Sequence, residues 1–161
     1  MTYYQKVVDF NTLFGVKLHS TPQPEIFDSD MTTINNGMKL VREEMSELES
    51  AIKEKDYVET ADAIADSIYV LLGLAGRMGI NMDTVFNMVH VNNMTKICQT
   101  EKEAQETVDY YNTNPQLGYV TPAYRRAEDN IHWVVYNQST GKILKSCVWR
   151  PVDLTFLLNN K

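Results

Sequence analysis

Apolar residues recur at helical spacing through the first third of the chain and predict two helices there. The stretch YYQKVVDFNTLF predicts a short first helix that ends at Gly15, and residues 31–55 predict a long second helix with one buried face. That face consists of Ile34, Met38, Val41, Met45, Leu48 and Ile52. The connecting segment HSTPQPEIFDSD holds two prolines and predicts a loop in which Asp28 or Asp30 caps the second helix.

A third helix is predicted over about residues 57–78. It is apolar on almost every side after Asp66, which is typical of a central helix in a bundle. Its apolar side comprises Ile64, Ile68, Leu71, Leu72 and Ala75. Gly79 ends it, and Asn81 or a neighbour caps a fourth helix over about residues 82–97. We therefore predict a four-helix core over about residues 1–98.

The remainder of the chain has a different pattern. Thr100 and Glu103 have the spacing of a capping box, so EKEAQETVDYYN predicts a more polar, peripheral helix, and a loop follows over 113–130. Aromatic and β-branched residues on both sides of QSTGK predict a β-hairpin over HWVVYNQSTGKILKSCVW. The predicted fold is all-α, a four-helix-bundle core with a small C-terminal β-hairpin extension. We expect one domain over 1–161, with its peripheral part over about 99–161.

Composition narrows the classes of function. No apolar run approaches the roughly 20 residues of a membrane span, and MTYYQKVVDFNTLF lacks the features of a targeting segment, so we expect a cytoplasmic protein without a membrane partner. A net charge of −6 argues against nucleic acid as a partner, because duplex-binding domains usually carry a basic stripe. A phosphorylated small molecule remains compatible if a divalent cation lies between it and the acids. Cys98 and Cys147 lack the spacing of a metal or redox site.

Carboxylates cluster on the second and third helices. The second helix carries three in VREEMSELES, and the third carries three within an arc of about 60°. They are Glu43, Glu44, Glu47, Glu59, Asp62 and Asp66. One such cluster alone is usually a solvated face. The third helix is too apolar for that explanation, and burying several like charges without a cation is costly, so we predict a metal. Oxygen ligands favour Mg²⁺ or Mn²⁺.

The short polar turn KEKD between these helices sets how the acids meet. Two helices joined in this way pack antiparallel, and residues equidistant from the turn come level. Glu47 and Glu44 lie nine and twelve residues before Asp56, while Asp62 and Asp66 lie six and ten after it. We therefore expect the two acid pairs to face each other.

The fourth helix ends in VHVNNMTK. His90, Asn93 and Lys96 follow at spacings of three, so one side offers an imidazole, an amide and an ammonium group. Lys96 suits a phosphate oxygen. The same spacing is typical of a helix end whose Asn and Lys satisfy backbone carbonyls, and the pattern supports either interpretation.

Taken in order, EExxE, an acid-bearing DAxAD helix, a GI pair and HVNNMTK resemble the all-α NTP pyrophosphohydrolases. This is the superfamily of MazG, dimeric dUTPase and phosphoribosyl-ATP pyrophosphohydrolase, and the likeness is greatest to its small phage and bacterial members. It extends from about DFNTLFG through NMTK, and STGKILKS and RPVDL resemble their C-terminal segment. The resemblance implies Mg²⁺-dependent hydrolysis of a nucleoside triphosphate between the α- and β-phosphates.

The resemblance also implies roles for individual residues. Glu44 and Glu47 match metal ligands, Glu43 matches a base that activates water in some members, and Asn93 and Lys96 match phosphate contacts. His90 joins them as a substrate-binding candidate. The family's second motif, ExxD, ends at Asp66 before SIYV.

The second motif departs from the family at one position. The Glu of ExxD would fall on Ala63. Asp62 is then the expected substitute ligand because it lies one turn from Asp66, and Glu59 is the outside candidate.

Several alternatives stay open. Phe10, Asn11 and Phe14 would either contact the base or belong to the core, and residues between Lys96 and the hairpin would form a lid or a subunit contact. A non-catalytic oligomeric module that binds nucleotide or protein is the competing function. The three histidines form no ExxH pair, which argues against a di-iron bundle. Self-association as a homodimer or homotetramer is expected in any case.

Overall fold

Six α-helices and a two-stranded sheet make up residues 1–158, the part of the chain that this computed structural model describes. The helices are α1 (Tyr3–Leu13), α2 (Ile26–Ser29), α3 (Met31–Glu54), α4 (Tyr57–Arg77), α5 (Met82–Met94) and α6 (Glu101–Thr113), and the strands are β1 (Pro122–Arg126) and β2 (Trp133–Asn137). Two short 3₁₀ turns lie at Pro115–Leu117 and Thr155–Leu158. A mostly helical fold with a small hairpin is confirmed, while the four-helix bundle stays a prediction.

The chain divides into two compact units. The first contains Met1–Asn87 and the chain from Asp153, and the second is Met88–Val152. The boundary falls inside α5, eleven positions before the change of character expected at residue 98. The single domain stays a prediction, and its last three residues, 159–161, lie outside the described part. Within residues 1–158 no single helix is both long and apolar enough to cross a membrane, although α4 and α5 reach that length and composition as a bent pair.

In the first unit α3 and α4 form an antiparallel hairpin. Lys55 adopts a left-handed conformation (φ 60°) that ends α3, and the Asp56 carboxylate accepts hydrogen bonds from the first amides of α4. Farther along, Gly37 lies against Leu74, and no side chain larger than hydrogen would fit there without displacing it. These contacts pair residues equidistant from the turn, so the expected antiparallel arrangement is confirmed.

Polar caps fix the helix starts. Asp30, rather than Asp28, caps α3 by accepting from Thr33 N at 3.1 Å. Asn81 caps α5 by accepting from Thr84 N at 3.2 Å. The predicted loop before α3 is wrong in one respect, because it contains the four-residue α2, whose Ile26 is buried.

The predicted burial of the long helices is only partly correct. On α3, Ile34 is buried, but Met45 and Ile52 are 42% and 58% exposed. On α4, Ile64, Ile68 and Leu71 are each about half exposed. The reason is that α3 and α1 cover only part of the wide apolar arc of α4, and the rest faces solvent.

The second unit is built on α6, which was expected to be peripheral. Ala104, Thr107, Val108 and Tyr111 follow helical spacing and are all buried. Ala104, Val108 and Tyr111 pack with Cys98, Val135 and Leu144 into one core. The helix therefore has a buried face, and its peripheral position stays a prediction. Four positions at i, i+3, i+4 and i+7 are enough to form a buried stripe on a helix that is otherwise polar.

The hairpin is real, but the predicted pairing is wrong. β2 pairs antiparallel with β1, from Pro122 opposite Asn137 to Arg126 opposite Trp133, so part of the predicted loop 113–130 is a strand. The chain after QSTGK contributes a single bridge, Ile143 to Tyr136. Asp129 explains the preference, since its carboxylate accepts from the amides of Ile131 and His132 and closes the β1–β2 turn.

Candidate active site

A cleft of about 320 Å³ runs between α3 and α4, and we call it the acid cleft. Its lining residues are Ser46, Glu47, Ser50, Ala51, Glu54, Glu59, Asp62, Ala63 and Asp66. Three predicted metal ligands, Glu47, Asp62 and Asp66, therefore line one cavity with the outside candidate Glu59.

The two helices contribute lining residues at the same spacing. On α3 the positions are Glu47, Ser50, Ala51 and Glu54, and on α4 they are Glu59, Asp62, Ala63 and Asp66, so each set follows i, i+3, i+4, i+7. Ala51 and Ala63 are buried, 7% and 6% exposed, whereas the carboxylates are exposed. Two small residues thus let the helices approach closely, and the acids stand above them on both sides of the cleft.

Glu44 belongs to the same electrostatic field although it does not line the cleft. Its side chain is half-buried, and burial raises the pKa of its carboxyl above the ordinary value. The negative charges of Glu47, Asp66, Glu43 and Asp62 raise this pKa further, in that order. A cation near these acids would relieve the repulsion.

Glu43, the predicted base, lies on the exposed side of α3. Its Oε1 atom is 3.5 Å from Lys39 Nζ, one turn earlier, in a solvent-exposed ion pair. Nothing tests its role as a base, which stays a prediction.

The donor set suits a hard divalent cation. The acid cleft offers carboxylates and two hydroxyls and has no Lys or Arg in its lining. As the side chains stand, no three His, Cys, Asp or Glu residues within 1–158 converge closely enough to hold a metal. The carboxylates of the cleft are exposed, so their rotamers are free to change, and the chemistry of the donors fits Mg²⁺.

Some residues of the cleft were not predicted from the sequence. Glu54 and the hydroxyls of Ser46 and Ser50 line the acid cleft beside the expected ligands. The repeated spacing on either side of the turn was the signal that would have found Glu54. Because Asp62 and Glu59 both line the cleft, the choice between them stays a prediction.

The predicted phosphate contacts belong to the second unit, whereas the acid cleft belongs to the first. His90 and Asn93 are exposed on α5. Lys96 follows the helix, and its Nζ donates to Asn93 Oδ1 at 2.8 Å. The ammonium group is thus held by a side chain, and the roles of these three residues stay predictions.

The residues considered for contact with a base, Phe10, Asn11 and Phe14, lie at the C-terminal end of α1. Phe10 stacks on Phe14 at 4.4 Å between ring centroids, and both rings are largely exposed. Asn11 is buried and donates from Nδ2 to Val7 O at 2.8 Å. An apolar groove of about 340 Å³ lies between α1 and α4, where Tyr3 and Val7 line it, but neither Phe10 nor Phe14 is among its lining residues. Asn11 is a core residue, and contact of the two phenylalanines with a base stays a prediction.

The comparisons with known proteins bear on this arrangement. The sequence model of the phosphoribosyl-ATP pyrophosphohydrolase family matches residues 7–93, more than half of the chain. The chain belongs to this family. The match spans α1 to the end region of α5 and includes all six clustered acids, His90 and Asn93, but not Lys96. The family is part of the MazG-like NTP pyrophosphohydrolase superfamily, so the resemblance is confirmed.

A viral protein is similar over almost the full length. "Uncharacterized protein L479" of Acanthamoeba polyphaga mimivirus is 27% identical over an alignment of 240 positions, gaps included, which covers 98% of this chain and 96% of that protein. Membership in the phosphoribosyl-ATP pyrophosphohydrolase family indicates that the chain is a pyrophosphohydrolase. The name of the viral relative states no activity.

Proposed function

We propose that the protein is a Mg²⁺-dependent nucleoside triphosphate pyrophosphohydrolase. It cleaves an NTP or dNTP between the α- and β-phosphates and releases the nucleoside monophosphate and pyrophosphate. The observation that carries the proposal is the acid cleft, in which carboxylates from two antiparallel helices surround one cavity inside the region matched by the family.

Glu44, Glu47, Asp62 and Asp66 would hold Mg²⁺, or Mn²⁺ in its place. The cation supplies neutralisation of the charge that builds on the triphosphate as the bond breaks. The raised pKa of Glu44 supports this, because burial and then the charges of neighbouring acids disfavour its ionised form, and a nearby cation would favour that form.

The chain's own groups then position water and phosphate. Glu43 accepts a proton from the attacking water, whose oxygen forms a bond to the α-phosphorus. The bond from that phosphorus to the α–β bridging oxygen breaks, and pyrophosphate leaves with the bonding electron pair. His90, Asn93 and Lys96 contact phosphate oxygens. Because water is the nucleophile, no Ser, Cys or His side chain attacks the phosphorus.

Pyrophosphate release from a panel of NTPs and dNTPs, with and without Mg²⁺, tests the proposal. Glu44→Gln and Asp66→Asn are each expected to lower kcat by about 100-fold or more, because they remove ligand charge. Glu49→Gln is the matched control, since Glu49 is an exposed acid on α3 outside the acid cleft. No turnover of any substrate, or full activity in both variants, would defeat the hydrolase proposal.

The same assay separates Asp62 from Glu59 as the remaining ligand. We expect Asp62→Asn to lose activity and Glu59→Gln to retain most of it. The reverse result would reassign the ligand and leave the function intact.

One observation favours the competing function of a non-catalytic nucleotide-binding module. Ala63, where the family motif has Glu, is buried at the base of the acid cleft and supplies no ligand. Mg²⁺-dependent binding of an NTP without pyrophosphate release would identify such a module.

We also propose that the protein assembles as a homodimer or homotetramer. Ile64, Ile68 and Leu71 form an apolar strip along α4 that is about half exposed. Leu13 at the end of α1 and Phe14 directly after it are more exposed still. Exposed apolar surface of this kind commonly marks a contact with another protein chain.

A further inference from the structure

The chain near residue 150 is attached to the last turns of α5 through Asn92. The side-chain amide of Asn92 donates to Arg150 O at 2.8 Å, and its backbone carbonyl accepts from the indole Nε1 of Trp149 at 3.3 Å. Asn92 directly precedes Asn93 in VHVNNMTK, yet the resemblance assigns it no role. A polar side chain and a tryptophan thus hold residues 149 and 150 on one short stretch of helix.

This attachment brings cationic side chains to the same stretch. Lys145 Nζ lies 3.7 Å from the centroid of the Trp149 ring, and Arg150 Nη1 donates to Trp149 O at 2.9 Å. Lys96 follows Asn92 by four residues in a turn that continues α5, with Lys96 N donating to Asn93 O at 3.2 Å. We call Lys96, Lys145 and Arg150 the cationic cluster.

The cationic cluster has no carboxylate partner within the described residues. The ion pairs found in residues 1–158 involve other Lys and Arg side chains. The acid beside this segment, Glu103, already accepts from Ser146 Oγ at 2.5 Å and from Gln99 N at 3.0 Å. Lys145 and Arg150 are exposed, so their charges are available to an anion.

The charge composition of the second unit also favours binding of an anion. Residues 88–152 hold seven of the chain's 15 Lys and Arg residues but only six of its 21 Asp and Glu residues. An anion repelled by the rest of the chain would therefore meet less negative charge here. Because Lys145 covers the Trp149 ring, phosphate oxygens rather than a stacked base are the groups that the cluster suits.

We propose that Arg150, supported by Lys145 and together with Lys96, forms a site within the second unit that binds phosphate oxygens. Asn92 is the positioning residue that holds Arg150 in place. This inference rests on the proposed function for the identity of the substrate, while binding of a phosphate chain is measurable without turnover.

The test measures binding of inorganic triphosphate in the presence of Mg²⁺ by calorimetry, and KM and kcat for the preferred NTP, on the full chain. Arg150→Gln is expected to raise both the Kd and KM about tenfold with little change in kcat, and Arg150→Lys to restore part of the loss. Lys102→Gln is the matched control, because Lys102 is an exposed cation of the same unit that pairs with Glu106.

Asn92→Ala tests the positioning role. This variant is expected to bind inorganic triphosphate more weakly than the wild type. The double variant Asn92→Ala/Arg150→Gln is expected to bind it no more weakly than Arg150→Gln alone. A purely structural role of Asn92 would instead add its own loss to that of Arg150→Gln, and this result would overturn the positioning role.

The outcomes separate the two proposals. Turnover with an unchanged KM in Arg150→Gln overturns the inference and leaves the proposed function. Absence of turnover, with triphosphate binding that Arg150→Gln weakens, overturns the proposed function and supports the inference. Absence of both activity and triphosphate binding overturns both. Binding of a single-stranded oligonucleotide that depends on Arg150, with triphosphate binding unchanged, also overturns the inference.

Discussion

At the residue scale, Glu44 is a single side chain whose ionised carboxylate lowers the stability of the folded state. Its pKa is raised by burial and by four neighbouring acids, so its charged form is disfavoured when the chain folds. A carboxyl whose pKa is raised by burial and by neighbouring acids is typical of a functional site.

Glu44→Gln is expected to raise Tm by roughly 1–2 °C at neutral pH without metal, because it removes one of the repelling charges. Saturating Mg²⁺ should raise the Tm of the wild type more than that of the variant, so that the difference in Tm between them shrinks or reverses. Thermal unfolding of both proteins, with Glu49→Gln as control, measures this. A lower Tm for Glu44→Gln in the metal-free protein would contradict the interpretation.

Asp129 gives a pH-dependent prediction. Hydrogen bonds from the His132 side chain, then from the amides of His132 and Ile131, lower the pKa of Asp129 from 3.8 to about 2. A carboxyl whose pKa is lower in the folded than in the unfolded state stabilises the fold at pH values above its unfolded-state pKa. This stabilisation is lost as the pH falls toward 2. Asp129→Asn should therefore destabilise the protein at pH 6 and less so at about pH 3.

Urea unfolding of wild type and Asp129→Asn at the two pH values measures the difference in their free energies of unfolding, which should be smaller at about pH 3 than at pH 6. Glu128→Gln is the control, because Glu128 is an adjacent exposed acid whose bond is to Arg125. A difference that is constant across this range would show that the β1–β2 turn does not depend on the charge of Asp129.

At the element scale, Gly79 determines how α4 ends. Its φ of +70° suits glycine, and a Cβ there would lie 1.8 Å from Thr21 O. The backbone of the segment before α2 thus passes directly over this residue. The loop can pack this closely against the end of α4 because Gly79 has no side chain.

Gly79→Ala is expected to destabilise the protein by about 3 kcal/mol or more, since backbone must move as well as adopt a strained φ. Gly141→Ala is the matched control, because Gly141 has the same φ of +70° and a methyl group added there would meet nothing within 4 Å. It should cost about 1 kcal/mol, the conformational term alone. Equal losses in urea unfolding would show that crowding by Thr21 is unimportant.

The elements also show what the sequence could and could not predict. Helix bounds came close because caps such as Asp30, Asp56 and Thr100 are local signals that single residues carry. Strand pairing is not local. The sequence PAYRR has no simple alternation, and the Gly-containing QSTGK was a stronger turn signal than the Asp129 turn that the chain uses.

At the scale of the whole molecule, the apolar strip on α4 predicts self-association. Periodicity does not distinguish an apolar face buried within the chain from one buried against another copy, which is why Ile68 was expected in the core. The acids were predicted as a group for a different reason, since the turn length places them level. Their individual roles depend on metal and substrate, which no pattern of residues contains.

Ile68→Arg is expected to shift the protein to monomer by placing a charge in the interface, raising the dissociation constant by about 100-fold or more. Light scattering coupled to size exclusion measures the mass. Ile131→Arg is the control, because Ile131 is more exposed and lies in the β1–β2 turn. A monomeric wild type, or an unchanged oligomer in Ile68→Arg, would contradict the proposed assembly.

The two-residue connection between α3 and α4 has a consequence for how such a chain tolerates insertions. Each residue added at Lys55 or Asp56 would turn α4 by about 100° if the helix took it up, carrying Asp62 and Asp66 away from Glu47. The longer segments before α3 and after β2 lie outside the acid cleft and are free of this constraint. Changes in length are therefore tolerated least at this connection, although neither Lys55 nor Asp56 lines the acid cleft.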